Sequence, residues 1–411
     1  MALKEKSHLE NPRSILEKFH VSEEFGFVLS DPLVELPEYY APWMKIATEL
    51  TSLIETKQLH AEVQKLPLLT IDQLQGHREL RLAHLALGFI TMGYVWQEGD
   101  KNAAKILPKK IAVPFCQISE KLDLPPVLVY ADCILANWKK KDPNRPMDLE
   151  NLDTIVSLPG GDNSKAFFLV SLLVELAAAS AVKVIPVIMD ALSREDASSL
   201  QIALHELTSS VQKTQDAFTL IHDHVDSTCY YETLRIFLSG WKDNPLLPDG
   251  LLYEGVWKTP KEFSGGSAAQ STIIQCFDLL LGIQHSSRDE AAANFLKRMR
   301  DYMPPAHRDF LQLVASGPTV RPFVLSKGDP DLQKAFDKCV SALVALRNYH
   351  LKVVAKYIVW PGQKLQREEN QKEGLQKELV ALEEKGTGGT GFMQFLKTVR
   401  DSTRKSLLKE Y

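Results

Sequence analysis

The sequence predicts a mainly α protein. Apolar residues recur at three- and four-residue intervals over long stretches, while strand-like alternation is scarce. Three segments rich in proline, glycine or charge separate these periodic runs, and no repeat of fixed period is present.

Taken in order, residues 45–65 read as an amphipathic helix. In RLAHLALGFITMGYVW, residues 81–96, the stripe Leu82, Leu85, Phe89, Met92 and Trp96 follows the helical period. The segment PNRPMDLENLDTIVSLPGGDNSK, residues 143–165, reads as a connection between two helical blocks. Residues 167–189 are apolar enough to suggest a membrane span, but Glu175, Lys183 and Pro186 interrupt them. A buried helix with a short continuation is therefore expected, and no membrane partner. Residues 197–224 read as a further amphipathic helix.

FSGGSAAQST, residues 263–272, is a loop of small residues. Ser267 and Gln270 have the spacing of a capping box and predict a helix over 270–283. Leu332, Phe336, Cys339, Leu343, Leu346, His350, Val353 and Tyr357 define the inward face of a long helix near the C-terminus. Residues 362–391 are charged, close in a glycine cluster, and place Leu375, Leu379 and Leu382 on one face.

Composition narrows the function classes. The 411 residues are 45% hydrophobic and 24% charged, which fits one large or two ordinary globular domains and excludes wholesale disorder. A net charge of −4 gives no basic field for nucleic acid. The N-terminal MALKEKSHLENPRS lacks the apolar run of a signal peptide. Five cysteines without a CxxC pair suit reduced thiols in the cytoplasm, and the missing CxxCH excludes covalent haem attachment of the c type.

Two residues stand out chemically. His350 puts an imidazole in an apolar stripe, which suits either a core histidine with satisfied nitrogens or an axial ligand held on a rigid helix. Arg235, in YYETLRIFLSGW, has apolar neighbours and asks for a carboxylate, from the protein or from a ligand. His222, Asp226 and Cys229 share a helical face, but they lack a fourth zinc ligand at conventional spacing and read as a polar face. The SGGSAAQ loop lacks the order of a phosphate-binding loop, although its small residues would let backbone approach a bound group.

Eight stretches in order resemble the indoleamine 2,3-dioxygenase family. They are GHRELRLAHLALGFITMGYVW, LPPVLVYADCILANWKKKDP, FFLVSLLVELAAASAVKVIP, LRIFLSGWKDNP, FSGGSAAQSTIIQCFD, RDYMPPAHRDFL, LRNYHLKVVAKYI and GTGGTGFMQFLKTVRDST. The resemblance implies a two-domain helical fold: a small N-terminal domain over 1–158, and a larger haem-binding domain over 159–411 with a mobile segment at 362–391. It implies a monomer holding one non-covalent haem b per chain. That enzyme opens the indole of L-tryptophan with O2 to give N-formylkynurenine, the first step of the kynurenine pathway, and takes electrons from a separate donor to reduce the iron.

Carried over residue by residue, His350 matches the proximal iron ligand, and Asp278 and Arg347 match the polar surroundings of the haem on that side. Arg235 matches the residue that takes the tryptophan carboxylate, and Phe167 the ring that stacks on the indole, with Ser171 one turn on. Tyr130, Cys133 and Ile134 match the inner wall, while Leu238, Gly266, Ser267 and Ala268 match the rim. Thr387 matches the loop residue that closes over substrate. Two positions depart from the pattern: Tyr230 replaces a phenylalanine over the substrate, and Ile134 replaces a valine. The related tetrameric tryptophan 2,3-dioxygenases present a histidine where this chain has Ser171.

A rival reading is signalling. LLYEGV, residues 251–256, fits a tyrosine-based inhibitory motif, so that phosphorylated Tyr253 would recruit an SH2-type partner; the second such tyrosine of the family is replaced by Phe115. A haem protein with weak turnover or none is the other alternative.

Overall fold

A computed structural model describes residues 16–285, 290–373 and 391–409. The predicted class holds: helices carry the fold, and the strands among the described residues are two-residue pairs. β1 (Ile106–Leu107) runs parallel to β4 (Leu252–Tyr253), and β2 (Lys139–Lys140) runs antiparallel to β3 (Leu152–Asp153). The hairpin of β2 and β3 occupies the start of the expected connection.

The stretch 45–65 is three short helices, Ala41–Thr48, Leu50–Glu55 and Leu59–Lys65, rather than one. Lys57 takes φ 56°, a left-handed conformation that ends a helix, so the chain turns there although its apolar spacing continues. These helices cover α1 (Gly76–Trp96), whose residues from Arg81 to Trp96 are all buried.

The apolar run becomes α2 (Gly161–Val182) and α3 (Val184–Ser193), separated at Lys183. It is long and apolar enough to cross a membrane by length and composition, yet much of it packs inside the protein against α4 (Ala197–Thr219). Asp196 caps α4 by accepting from the Ser199 amide at 3.0 Å. On its other side α4 meets α7 (Pro330–Val354), with α5 (Thr272–Leu281) and α6 (Glu290–Met299) nearby in the chain.

α7 begins at the Asp329 cap, which accepts from the amides of Asp331 and Leu332, with Pro330 in the first turn. Its predicted inward stripe is buried as expected: Leu332, Phe336, Cys339, Leu343, Leu346, Val353 and Tyr357 all lie in the core. α8 (Phe392–Arg404) lies across it. The helix Trp360–Glu373 takes up the start of the charged segment, while Leu375, Leu379, Leu382 and Thr387 lie outside the described residues.

Candidate haem and substrate site

Two interruptions in helical winding meet at the lining of one cavity. Residues Tyr230–Leu234 form a π-turn, in which the Arg235 amide donates to the Tyr230 carbonyl, and Ala355–Val359 form a second directly after α7. Single π-turns re-aim side chains and often occur at functional sites. Their rings meet edge to face, Tyr230 against Tyr357 at 6.2 Å.

The cavity has a volume of about 330 Å³. Every site residue carried over from the resemblance lines it except Thr387, which lies outside the described residues. Tyr130, Cys133 and Ile134 line it, as do Phe167 and Ser171 on one face of α2, where a four-residue spacing aligns them. Tyr230, Arg235 and Leu238 continue the wall, and Gly266, Ser267 and Ala268 form the rim. Phe218, Leu343, Leu346, Val353, Phe392 and Phe395 make much of the rest apolar.

The rim is fixed by two backbones in contact. A Cβ on Gly240 would stand 2.2 Å from the Gly265 nitrogen, and one on Gly265 would stand 2.1 Å from the Leu238 carbonyl oxygen. Neither place admits a side chain, so the loop presses against the Arg235 segment. The capping box expected here is not formed. Ser267 accepts from the Ala269 amide, but only to start a 3-10 turn over Ala268–Gln270, and the α-helix begins at Thr272. Gln270 is drawn elsewhere, accepting from the Tyr130 amide at 2.9 Å and donating to the Gly265 carbonyl at 2.9 Å. Tertiary partners outcompete the local cap and tie this loop to Tyr130.

His350 faces the cavity from α7. Burial, and then the nearby Arg347 charge, push the imidazole down to about 4, so at neutral pH it is uncharged. Phe218 meets its ring edge-on at 5.8 Å, and among the described residues neither ring nitrogen has a hydrogen-bond partner. A neutral, unpartnered imidazole opening on an apolar cavity fits the donor set for a haem iron with one protein ligand.

Arg347, three residues before His350, lies in the polar corner of the same cavity. It donates to both Asp278 oxygens, at 2.8 and 2.7 Å, and to the Thr403 hydroxyl. Both charged residues are nearly buried, Asp278 at 6% and Arg347 at 8% exposed. Burial pushes the Asp278 carboxyl up, but Arg347 and His285, the latter at 2.8 Å, more than offset it and hold the carboxyl below its usual range. α5, α7 and α8 are thus pinned together beside His350.

The Arg235 guanidinium stands 5.1 Å over the Tyr231 ring. Phe167 and Tyr230 are 4.8 Å apart. Ser171 donates to the Phe167 carbonyl at 2.8 Å, so its hydroxyl is committed to the helix backbone.

Sequence reading missed Glu175 as part of the site. It is 4% exposed, lines the cavity, and accepts from Tyr130 Oη at 2.8 Å and Ser271 Oγ at 2.5 Å. Burial pushes its carboxyl up, against those two hydrogen bonds. The available signal was the acid itself, isolated in an apolar run and on the Phe167–Ser171 face.

Two other sequence candidates lie apart from this function. Asp226 caps Cys229, accepting from its amide at 2.8 Å, and the His222 ring stacks on Tyr357 at 5.7 Å. Tyr253 is 0% exposed in β4, donates to the Pro126 carbonyl at 2.6 Å, and packs with Trp241, Trp257 and Phe263. The folded chain does not present that phenol to a kinase.

The family model described as indoleamine 2,3-dioxygenase matches residues 15–406. The chain is 53% identical to indoleamine 2,3-dioxygenase 1 of Mus musculus, covering 99% of each chain. It is 48% identical to indoleamine 2,3-dioxygenase 2 of Homo sapiens, over 96% of this chain and 95% of the relative. A protein named myoglobin from Haliotis madaka is 37% identical, over 95% and 98%.

Proposed function

The chain belongs to the indoleamine 2,3-dioxygenase family, and on that premise we propose that it binds one non-covalent haem b on His350 and cleaves the indole C2–C3 bond of L-tryptophan with O2. Both oxygen atoms enter the product, N-formylkynurenine, so the ring opening consumes no net reductant; a separate electron donor is needed only to bring the iron to its ferrous state. The observation that carries the reading is a neutral His350 facing a mostly apolar cavity that Arg235 and Phe167 also line.

When bound, haem supplies the iron at which O2 is activated. The chain supplies placement. Arg235 offers a fork of donors to the substrate carboxylate, and Phe167 offers an apolar face to the indole. Ile134, Leu238 and the small rim residues shape the space around the ring and keep water from it. Asp278 and Arg347 fix the helix that carries His350. No base at the indole nitrogen is required of Ser171, whose hydroxyl is bonded to its own helix.

The myoglobin-named relative makes reversible O2 binding without turnover the competing reading. The planar fork of Arg235 matches a carboxylate, which favours an amino-acid substrate over O2 alone. Free cysteines throughout the described residues support the cytoplasm as its place. Signalling through Tyr253 and an SH2-type partner would require β4 to open first. The test is the absorption spectrum of the haem-loaded chain, with N-formylkynurenine formation from L-tryptophan under reductant. Haem uptake without product would leave the carrier reading in place of the enzyme.

A further inference from the structure

Three tyrosines line the cavity, and two have committed hydroxyls. Tyr130 donates to Glu175, and Tyr357 reaches the carbonyls of Ile221 and Val225 at 2.8 and 3.0 Å. Tyr230 is 8% exposed, yet among the described residues its hydroxyl has no hydrogen-bond partner. That hydroxyl opens on the cavity with no protein acceptor, so it is free to donate to an acceptor that a ligand brings there.

We propose that the Tyr230 hydroxyl is a second donor to the carboxylate of the amino-acid substrate, acting beside Arg235. The inference rests on the family reading above for the presence of such a substrate. Its geometric basis is the π-turn. Five residues along an α-helix of 3.6 residues per turn would point Tyr230 and Arg235 well apart. The i→i+5 bond from the Arg235 amide to the Tyr230 carbonyl winds this segment wider, and both residues line the cavity. The Tyr230 ring is then held between Phe167, at 4.8 Å, and Tyr357, at 6.2 Å, while Tyr231 supports the guanidinium. Burial pushes the phenol up and the Arg235 charge pulls it partly back, with a net rise, so it stays protonated and able to donate at neutral pH. An anion placed at Arg235 is the acceptor this arrangement suits. A phenylalanine at the same place would keep the ring packing and lose the donor.

The experiment is calorimetric titration of the haem-loaded, full-length ferric protein and its Tyr230→Phe variant, with L-tryptophan and with tryptamine, which lacks the carboxylate. Steady-state kinetics run in parallel. The variant is expected to bind L-tryptophan about tenfold more weakly, in line with a hydrogen bond to a charged group, with tryptamine unchanged and the effect in KM rather than kcat. An unchanged Soret band shows that the variant folds and holds haem. Equal weakening of both ligands would overturn the proposal in favour of ring packing. Unchanged L-tryptophan binding, or a loss confined to kcat with both substrates, would overturn it as well. If the wild-type chain takes up no haem or binds no tryptophan, the proposed dioxygenase function itself fails and takes this inference with it.

Discussion

Replacing Arg347 by alanine should do more damage than removing both members of its ion pair. The guanidinium makes two short bonds to Asp278, at 2.8 and 2.7 Å, and both residues are more than nine-tenths buried. Truncating Arg347 leaves a buried carboxylate facing His285 alone, and breaking such a pair costs about 3–5 kcal/mol. His285, at 2.8 Å, remains as a partner, which places the expected loss near the lower end, at about 3 kcal/mol. Asp278→Asn combined with Arg347→Gln removes both charges and keeps hydrogen-bonding shape, so it should cost only about 1–2 kcal/mol. Urea unfolding of the haem-free chain measures each variant and the double mutant, and haem titration follows His350, three residues along α7. Arg347→Ala should weaken haem binding because α5, α7 and α8 lose their common tie. A loss below about 1 kcal/mol, or single effects that simply add in the double mutant, would refute the reasoning.

Further outcomes follow from the other buried groups. His350 is held down at about 4, below the usual histidine value, so the stability it contributes as a neutral ring is present above about 6.5 and is lost as pH falls from there toward 4. Haem affinity should accordingly stay level between about pH 5 and 8, and a fall centred near 6.5 would contradict the neutral ligand. Glu175 shifts the other way: its raised carboxyl binds a proton more readily in the folded chain, so its contribution declines as pH rises above the ordinary carboxylate range. Glu175→Gln should remove that decline in thermal melts while keeping both donor partners, and a melt profile identical to wild type at every pH would refute it. Tyr253→Phe should cost about 1 kcal/mol through the lost bond to Pro126, whereas Tyr253→Glu buries a charge and should largely abolish folding. Efficient phosphorylation of native protein by a tyrosine kinase would contradict that burial.

The sequence made the helical class and the long C-terminal stripe legible because both depend on local periodicity, and α7 buries the very face that periodicity marks. It could pose His350 and Arg235 as anomalies, but only tertiary structure brings α2, α7 and the Gly265–Ala268 rim to one cavity. The π-turns left no local trace: Tyr357 continues an ordinary helical stripe, and nothing in YYETLRIFLSGW marks a wider turn. The misread capping box shows why: Gln270 had the right spacing, and a distant amide on Tyr130 claimed it. Tyr253 shows the same limit in reverse, because a short motif says nothing of the aromatic cluster that closes over it. Phe392 and Phe395 carry a helical spacing that could have marked them as cavity wall.

The most direct test of the central claim is to load the purified chain and its His350→Ala variant with haem, record both absorption spectra, and assay N-formylkynurenine from L-tryptophan under O2 and reductant. The wild type is expected to give a haem spectrum and product, and the variant to lose both. A variant that binds haem with the same spectrum and still forms product would contradict His350 as the iron ligand, and a wild type without haem or product would contradict the reading as a whole.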